Sequence, residues 1–222
     1  MKLILLHERS VSVSLYVAYV MVGLAIAMPV GAITVEMTKQ GLKNGFVHGW
    51  AVGLGGMTID IALIFALYMG LASILAMPMI QLPMWIIGAG FLLLLGLDSI
   101  KNAEHGITLA GEKVTKSFFK SYRNGLLVAV SPGNLVFWVN VFGVVLAKSY
   151  DQTESTSFLV IAAGVLSGIL LHDIGLMTIV SVTRRAMSRK MIKTLTMVSG
   201  VLLIGFAGYF IYEFIQGIKV YM

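Results

Sequence analysis

The stretch AMPVGAITVEM, residues 27–37, places Pro29 and Gly31 inside a long apolar run and adds Glu36 before that run has ended. A proline inside a helix removes one backbone N–H and clashes with the preceding turn, so it kinks or breaks the helix. A carboxylate in a run that crosses a bilayer is energetically costly and marks a functional position. Together the two features predict a broken membrane helix beside an internal polar site.

The composition of the chain is that of an integral membrane protein. Of its 222 residues, 58% are hydrophobic and 12% are charged, and the mean hydropathy is +0.93. Soluble domains carry roughly 25% charged residues. The apolar runs are continuous rather than alternating, which favours helices over a barrel. Runs of about 20 residues predict six spans, at residues 15–37, 46–75, 82–97, 125–146, 158–182 and 195–215. The third is short for a span and can extend past Asp98.

The basic residues indicate how these spans are oriented. Twelve of the 16 Lys and Arg residues lie in the first, third and fifth loops, and four lie on the opposite side. The positive-inside rule then makes the odd-numbered loops cytoplasmic and places both termini outside. The net charge of +6 is thus a topology signal with some attraction to anionic lipid, and it does not predict nucleic-acid binding. The absence of cysteine excludes disulfides and thiolate metal sites.

The interruption occurs a second time. The stretch AVSPGNLVFWVN, residues 129–140, carries Pro132 and Gly133, with Pro132 lying 103 positions after Pro29. Asp60 of the second predicted span and Asp173 of the fifth are 113 positions apart. The glycine pairs of the third and sixth spans are each 112 positions apart: Gly88 with Gly200, and Gly96 with Gly208.

This pattern predicts an all-α integral membrane fold of six transmembrane helices. They form two inverted three-helix repeats with broken helices 1 and 4. Residues 1–222 are then a single membrane domain, with a first repeat over residues 1–100, a cytoplasmic loop over 101–120 and a second repeat over 121–222.

Each break supplies chemistry suited to a carboxylate. The half-helix after a break begins with unpaired N–H groups and the positive end of a helix dipole, which together bind anions. The candidate substrate-binding residues at the breaks are Pro29, Gly31, Pro132, Gly133 and Asn134. The alternative is a simple kink whose free backbone groups are satisfied by neighbouring helices.

Asp60 is the first of the candidate acids. Gly49, Gly53, Gly56 and Asp60 are spaced by four, three and four positions and share one helical face. That smooth face lets another helix approach closely beside the acid. We therefore expect Asp60 to face a cavity or a partner and to bind substrate or a proton.

Three further titratable residues are candidates for proton coupling alongside Asp60. Asp173 and the adjacent His172 point about 100° apart on a helix yet can form one polar patch, and histidine titrates near neutral pH. Asp173 is also a candidate substrate-binding residue. Glu36 either lines the cytoplasmic mouth or reaches out to the interface beside Lys39.

At these residues the chain resembles the LysE/RhtB amino-acid exporters of bacteria. Members of that family carry a Pro-Gly or Pro-x-Gly break followed by a glycine-rich segment ending in Asp, as in MPVGAITVEMTKQGLKNGFVHGWAVGLGGMTID, residues 28–60. The stretch NGLLVAVSPGNLVFWVNVFG, residues 124–143, is similar to a second family motif. Here Ser131-Pro132-Gly133 replaces the usual Asn-Pro-Lys or Asn-Pro-His.

The resemblance implies proton-driven export of an amino acid or close analogue across the bacterial inner membrane by a multi-pass protein. Pro29, Gly31 and Asp60 match the first motif, and Pro132 matches the second. Asp60 or Asp173 would bind the substrate ammonium group or the coupling proton. No cofactor and no resident metal are expected, and membrane lipid is the expected surrounding. The glycine faces and the family resemblance also suggest a homodimer.

Other functions remain open at this stage. A cation or metal exporter of the same superfamily is the nearest alternative, although scattered carboxylates without a Met or His cage make a poor transition-metal site. An intramembrane enzyme would need Ser131 and His172 as nucleophile and base, but Ser131 is better explained as a helix cap. A membrane scaffold would need only the glycine faces, so the sequence predicts a transporter and not an enzyme.

Overall fold

The computed structural model describes residues 2–28, 30–71, 74, 77–105, 107, 117–130, 138 and 155–221, and all statements below concern these residues. They form helices and no strand. The helices are α1 (Lys2–Ala27), α2 (Ala32–Asn44), α3 (Phe46–Tyr68), α4 (Pro78–Lys101), α5 (Phe118–Ala129), α6 (Ser155–Arg185) and α7 (Arg189–Tyr221).

Within this described part, α3, α4, α6 and α7 are each long and apolar enough to cross a membrane. Helices α1 and α2 meet the same test as one broken span, bent by 78°. The chain is therefore an all-α, multi-pass membrane protein. The predicted fourth span, residues 125–146, lies mostly outside the described residues, as does its break at Pro132.

The first predicted break is present. Helix α1 ends at Ala27 and α2 begins at Ala32, while Pro29 itself lies outside the described residues. Gly31 occupies the N-cap of α2 in an extended conformation, with φ −110° and ψ −179°, and it makes no side-chain cap. The first intrahelical bond of α2 runs from the Val35 N–H to the Gly31 carbonyl at 3.0 Å.

Helix α3 is shorter than its predicted span. It ends at Tyr68 rather than at residue 75, because Gly70 takes the left-handed conformation, with φ +78°, that terminates helices. Helix α4 extends through Asp98 to Lys101, as the sequence allowed, and α1, α6 and α7 also run beyond the predicted spans. Hydrophobicity alone therefore missed the glycine that stops α3.

Two helix crossings depend on pairs of glycines. A methyl group on Gly23 of α1 would lie 3.0 Å from the Cα of Gly168 in α6, and one on Gly168 would lie 2.8 Å from the Cα of Gly23. A methyl group on Gly55 of α3 would likewise lie 3.0 Å from the Cα of Gly125 in α5. The backbones touch at both points, which only glycine permits.

A third crossing joins α4 and α7. A methyl group on Gly96 would lie 2.8 Å from the Gly200 carbonyl oxygen, and one on Gly200 would lie 2.8 Å from the Gly96 carbonyl oxygen. Further along the pair, Gly88 of α4 faces the ring of Phe210 in α7. Because the contact moves toward the start of α4 as it moves toward the end of α7, the two helices run antiparallel.

The distribution of polar and apolar side chains also suits a lipid surrounding. Large apolar side chains on several helices are mostly exposed, including Phe65, Leu94, Phe119 and Ile179, at 64–67%. Polar and charged side chains are buried instead, where the helices meet. The buried polar set comprises Glu36, Lys39, Gln40, Asn44, His48, Asp60, Ser99, Ser121, Asp173, Thr196 and Ser199.

Candidate functional site

An internal cavity of about 330 Å³ lies where the break between α1 and α2 meets α3, α6 and α7. Below it is called the central cavity. Its size is within the range of small-molecule sites. Its lining is mainly apolar. The polar side chains come from α2, α3, α6 and α7, with Trp138 in addition: Thr34, Asp60, Trp138, His172, Asp173 and Tyr209.

Asp60 lines the central cavity from α3 and is 8% exposed. Its Oδ1 accepts a hydrogen bond of 2.8 Å from the indole Nε1–H of Trp138. Gly53 and Gly56 line the same cavity, so the face expected from the glycine spacing is the face that carries the acid. At Gly49 the same face lies against α2, where an added methyl group would be 3.1 Å from the Cα of Gly41.

Asp173 lines the cavity from α6 and is 7% exposed. Its Oδ1 lies 3.2 Å from Nδ1 of His172, which also lines the cavity. The two neighbours therefore form one polar patch, as the sequence allowed. Asp173 also lies against Gly53 of α3, where an added methyl group would be 2.5 Å from Oδ2. Gly53 thus makes room for the carboxylate.

The start of α2 forms another part of the wall. Gly31, Ala32, Ile33 and Thr34 all line the central cavity. The first-turn N–H groups of a helix have no partner within the helix. A methyl group added to Gly31 would meet nothing within 4 Å among the described residues. Pro29 lies outside the described residues, as do Pro132, Gly133 and Asn134 of the second predicted break.

Glu36 is buried among helices rather than at the membrane interface. It is fully buried, at 0% exposure, so the proposal that it reaches the interface is wrong. It does not belong to the described lining of the central cavity. Its carboxylate forms an ion pair with Lys39 and accepts hydrogen bonds from Gln40 at 2.7 Å and from Asn124 of α5 at 3.0 Å. Burial of the whole cluster between helices is the reason.

Sequence reasoning left several site residues unassigned. Trp138 is the hydrogen-bond partner of Asp60. A buried indole N–H needs an acceptor, which is a signal for such a role. Lys39 and Gln40 follow Glu36 at helical spacings of three and four. Nothing in the sequence links Asn124 to Glu36.

The alternative function, export of a metal ion, would be supported by a cluster of metal-binding side chains. In the part of the chain that the structure describes, no group of three or more His, Asp or Glu side chains lies close enough to hold a metal ion.

Helices that cross the bilayer around a cavity lined by two carboxylates define a membrane transport protein rather than a soluble enzyme. Comparison with known sequences identifies which kind. The profile described as "LysE: LysE type translocator" matches residues 24–214, so the chain belongs to the LysE type translocator family. Members of this family are transporters and not enzymes. The resemblance seen in the sequence motifs is confirmed.

Two relatives align with this chain over nearly their whole length. A protein of Bacillus subtilis (strain 168) named "Putative amino acid efflux protein YcgF" is 31% identical over 207 residues, which is 93% of this chain and 98% of that one. The "Chemotactic transduction protein ChpE" of Pseudomonas aeruginosa is 27% identical over 197 residues, covering 88% of this chain and 96% of that one. No solved structure matches the chain.

Proposed function

We propose that the protein exports an amino acid or a close analogue across a bacterial inner membrane and couples this export to the proton gradient. The observation that carries the proposal is the pair of aspartates, Asp60 from α3 and Asp173 from α6, in the wall of one cavity. Buried acids at a shared cavity suit a cationic group and a proton. Membership of the translocator family and the efflux name of the B. subtilis relative support the same direction.

We assign different roles to the parts of the cavity wall. Asp60, held by a neutral indole donor, binds the substrate ammonium group. The first-turn N–H groups after Gly31 receive the substrate carboxylate, together with Gly133 and Asn134 at the second break. Asp173 and His172 exchange the coupling proton, because the carboxylate and the imidazole lie in contact at 3.2 Å in the cavity wall.

The proposal includes the inverted repeat. In an inverted repeat, a close contact between the halves is expected to have a counterpart after the halves are exchanged. Gly125 follows Gly23 by 102 positions and Gly168 follows Gly55 by 113. Exchanging the halves therefore converts the α1–α6 crossing into the α5–α3 crossing. The two aspartates are also 113 positions apart. These equivalences support two repeats of three spans, the second containing a break at Pro132.

The same topology gives an orientation. The turn at Gly45 between α2 and α3 follows Lys39 and Lys43, and α6 ends in Arg184 and Arg185. The positive-inside rule places these ends in the cytoplasm and both termini outside. The homodimer remains a prediction from the glycine faces and the family.

Counterflow into proteoliposomes tests the function. Vesicles loaded with unlabelled solute are supplied with trace amounts of labelled amino acids and labelled cations, one at a time, at neutral pH. At least one amino acid should accumulate transiently, and an imposed proton gradient should drive its net movement. Accumulation of cations without any amino acid would establish the alternative, a cation or metal exporter. Movement of neither would contradict transport, with empty vesicles as the control.

A further inference from the structure

A second cavity, of about 550 Å³, lies between the last turns of α2 and α4, beside α5 and α7. Below it is called the basic cavity. Three lysines line it, Lys39 and Lys43 from α2 and Lys120 from α5, against a single aspartate, Asp98 of α4. Asp98 accepts a hydrogen bond of 2.9 Å from Asn102, whose carbonyl accepts one of 3.0 Å from Lys43. The lining is thus positively charged overall, with one fixed acid.

Helix α2 contributes to both cavities along its length. Its first turns, as far as Met37, line the central cavity, and its last turns, from Lys39 to Asn44, line the basic cavity. Glu36 lies between them and belongs to neither described lining. Its hydrogen bonds to Gln40 and Asn124 and its ion pair with Lys39 tie α2 to α5 at this level. These polar contacts therefore lie between the two cavities along α2.

Lys39 connects these contacts to the basic cavity. Its ammonium group contacts Glu36, donates a hydrogen bond of 2.9 Å to the Ser99 hydroxyl of α4, and forms part of the basic cavity wall. A carboxylate arriving in that cavity can take the place of Glu36 as the partner of Lys39. Glu36 would then keep its bonds from Gln40 and Asn124. The exchange therefore keeps Lys39 paired with a carboxylate and leaves Glu36 two hydrogen-bond donors, which lowers the cost of separating the buried pair.

We propose that the basic cavity is a loading site for carboxylate-bearing solutes, and that the Glu36–Lys39 pair at its floor is the closed gate to the central cavity. The lysines attract the carboxylate, and Asp98 is placed to attract an ammonium group on the same molecule, so a free α-amino acid fits best. The identity of the solute rests on the proposed function. The gate does not, because it follows from the two cavities and the polar contacts between them.

The gate is tested by cysteine labelling, for which the chain is suited because it contains no native cysteine. Thr34→Cys places a thiol in the central cavity. A charged, membrane-impermeant methanethiosulfonate is added to the face that carries the Gly45 turn. Labelling should be slow in the otherwise unchanged protein and at least about tenfold faster when Lys39→Ala is added, because the closed population falls. Asn124→Ala is the second gate variant, should the first not fold.

The loading site is tested with His105→Cys, which places a thiol in the basic cavity. The measurement is how far an added solute slows labelling of this thiol by the same methanethiosulfonate. Glycine, L-leucine, L-lysine and L-threonine are compared, each beside its carboxamide. At least one acid should slow labelling and no amide should. Lys43→Gln with Lys120→Gln should abolish this protection. Lys101→Gln is the matched control and should retain it, because Lys101 is exposed at the same end of α4 but outside the described lining of the basic cavity.

The outcomes are distinguishable from those of the transport assay. Equal labelling of Thr34→Cys with and without the gate variants would overturn the gate. Absence of protection by any acid, or equal protection by the amides, would overturn the loading site. Protection and gating as expected, without any counterflow, would contradict the proposed export and leave the loading site and gate standing.

Discussion

The two halves of the chain share a packing contact but differ in the chemistry beside their aspartates. The α1–α6 and α3–α5 crossings are both glycine against glycine, with backbones in contact. Asp60 accepts its hydrogen bond from the indole of Trp138, a group that only donates. Asp173 lies beside His172, whose imidazole can gain and lose a proton. The glycine crossing thus occurs in both halves, whereas the side chain beside the aspartate differs between them.

This difference indicates a division of roles. Both crossings carry glycine because helix backbones can touch only where the facing residues are small. Binding a substrate and transferring a proton require different neighbours for the two aspartates of one cavity. A fixed neutral donor keeps Asp60 oriented without adding charge, whereas a titratable neighbour lets Asp173 exchange a proton. We expect variants to separate these roles as follows.

Asp60→Asn should have the largest effect. Removal of one member of a buried charge contact costs about 2 kcal/mol or more, which corresponds to at least about a thirtyfold loss of counterflow. The variant should insert normally, because the amide can still accept the bond from Trp138. Glu104→Gln is the control, since Glu104 is exposed and pairs with Lys193 outside the cavity at 2.5 Å. Counterflow at the wild-type rate in Asp60→Asn would remove Asp60 from the site.

His172→Gln should have a smaller and more selective effect. Hydrogen bonds to charged groups contribute about 1.5 kcal/mol or more, so gradient-driven transport should fall about tenfold while counterflow without a gradient remains close to wild type. The ratio of the two rates, measured on the same vesicles, is the test. An equal loss of both rates would mean that the two aspartates do not differ in role.

Gly23→Ala and Gly125→Ala should have the smallest effect on transport and should match each other. Each methyl group would clash with the backbone of the opposing helix, lowering the free energy of unfolding by about 1–3 kcal/mol. Gly205→Ala is the matched control, because a methyl group there meets nothing within 4 Å among the described residues. Unfolding in detergent measures all three. Destabilisation by only one crossing variant would contradict the equivalence of the halves.

The features that the sequence predicted correctly are those fixed by local chemistry. A proline followed two residues later by a glycine favours the end of one helix and the start of another, so the break between α1 and α2 was predictable. Helical spacing likewise placed Asp60 on the glycine face. The burial of Glu36 was not predictable, because its partner Asn124 lies 88 positions away. The same holds for Trp138, which is 78 positions from Asp60.

The central claim is that a transported amino acid occupies the central cavity beside the break. The alkylation rate of Gly31→Cys tests this claim most directly. A Cβ at Gly31 meets nothing within 4 Å among the described residues, and the chain has no native cysteine that could react instead. The amino acid identified by counterflow should slow this alkylation, and it should lose that effect when Asp60→Asn is added. An alkylation rate that the amino acid leaves unchanged, in a protein that still transports it, would contradict the claim.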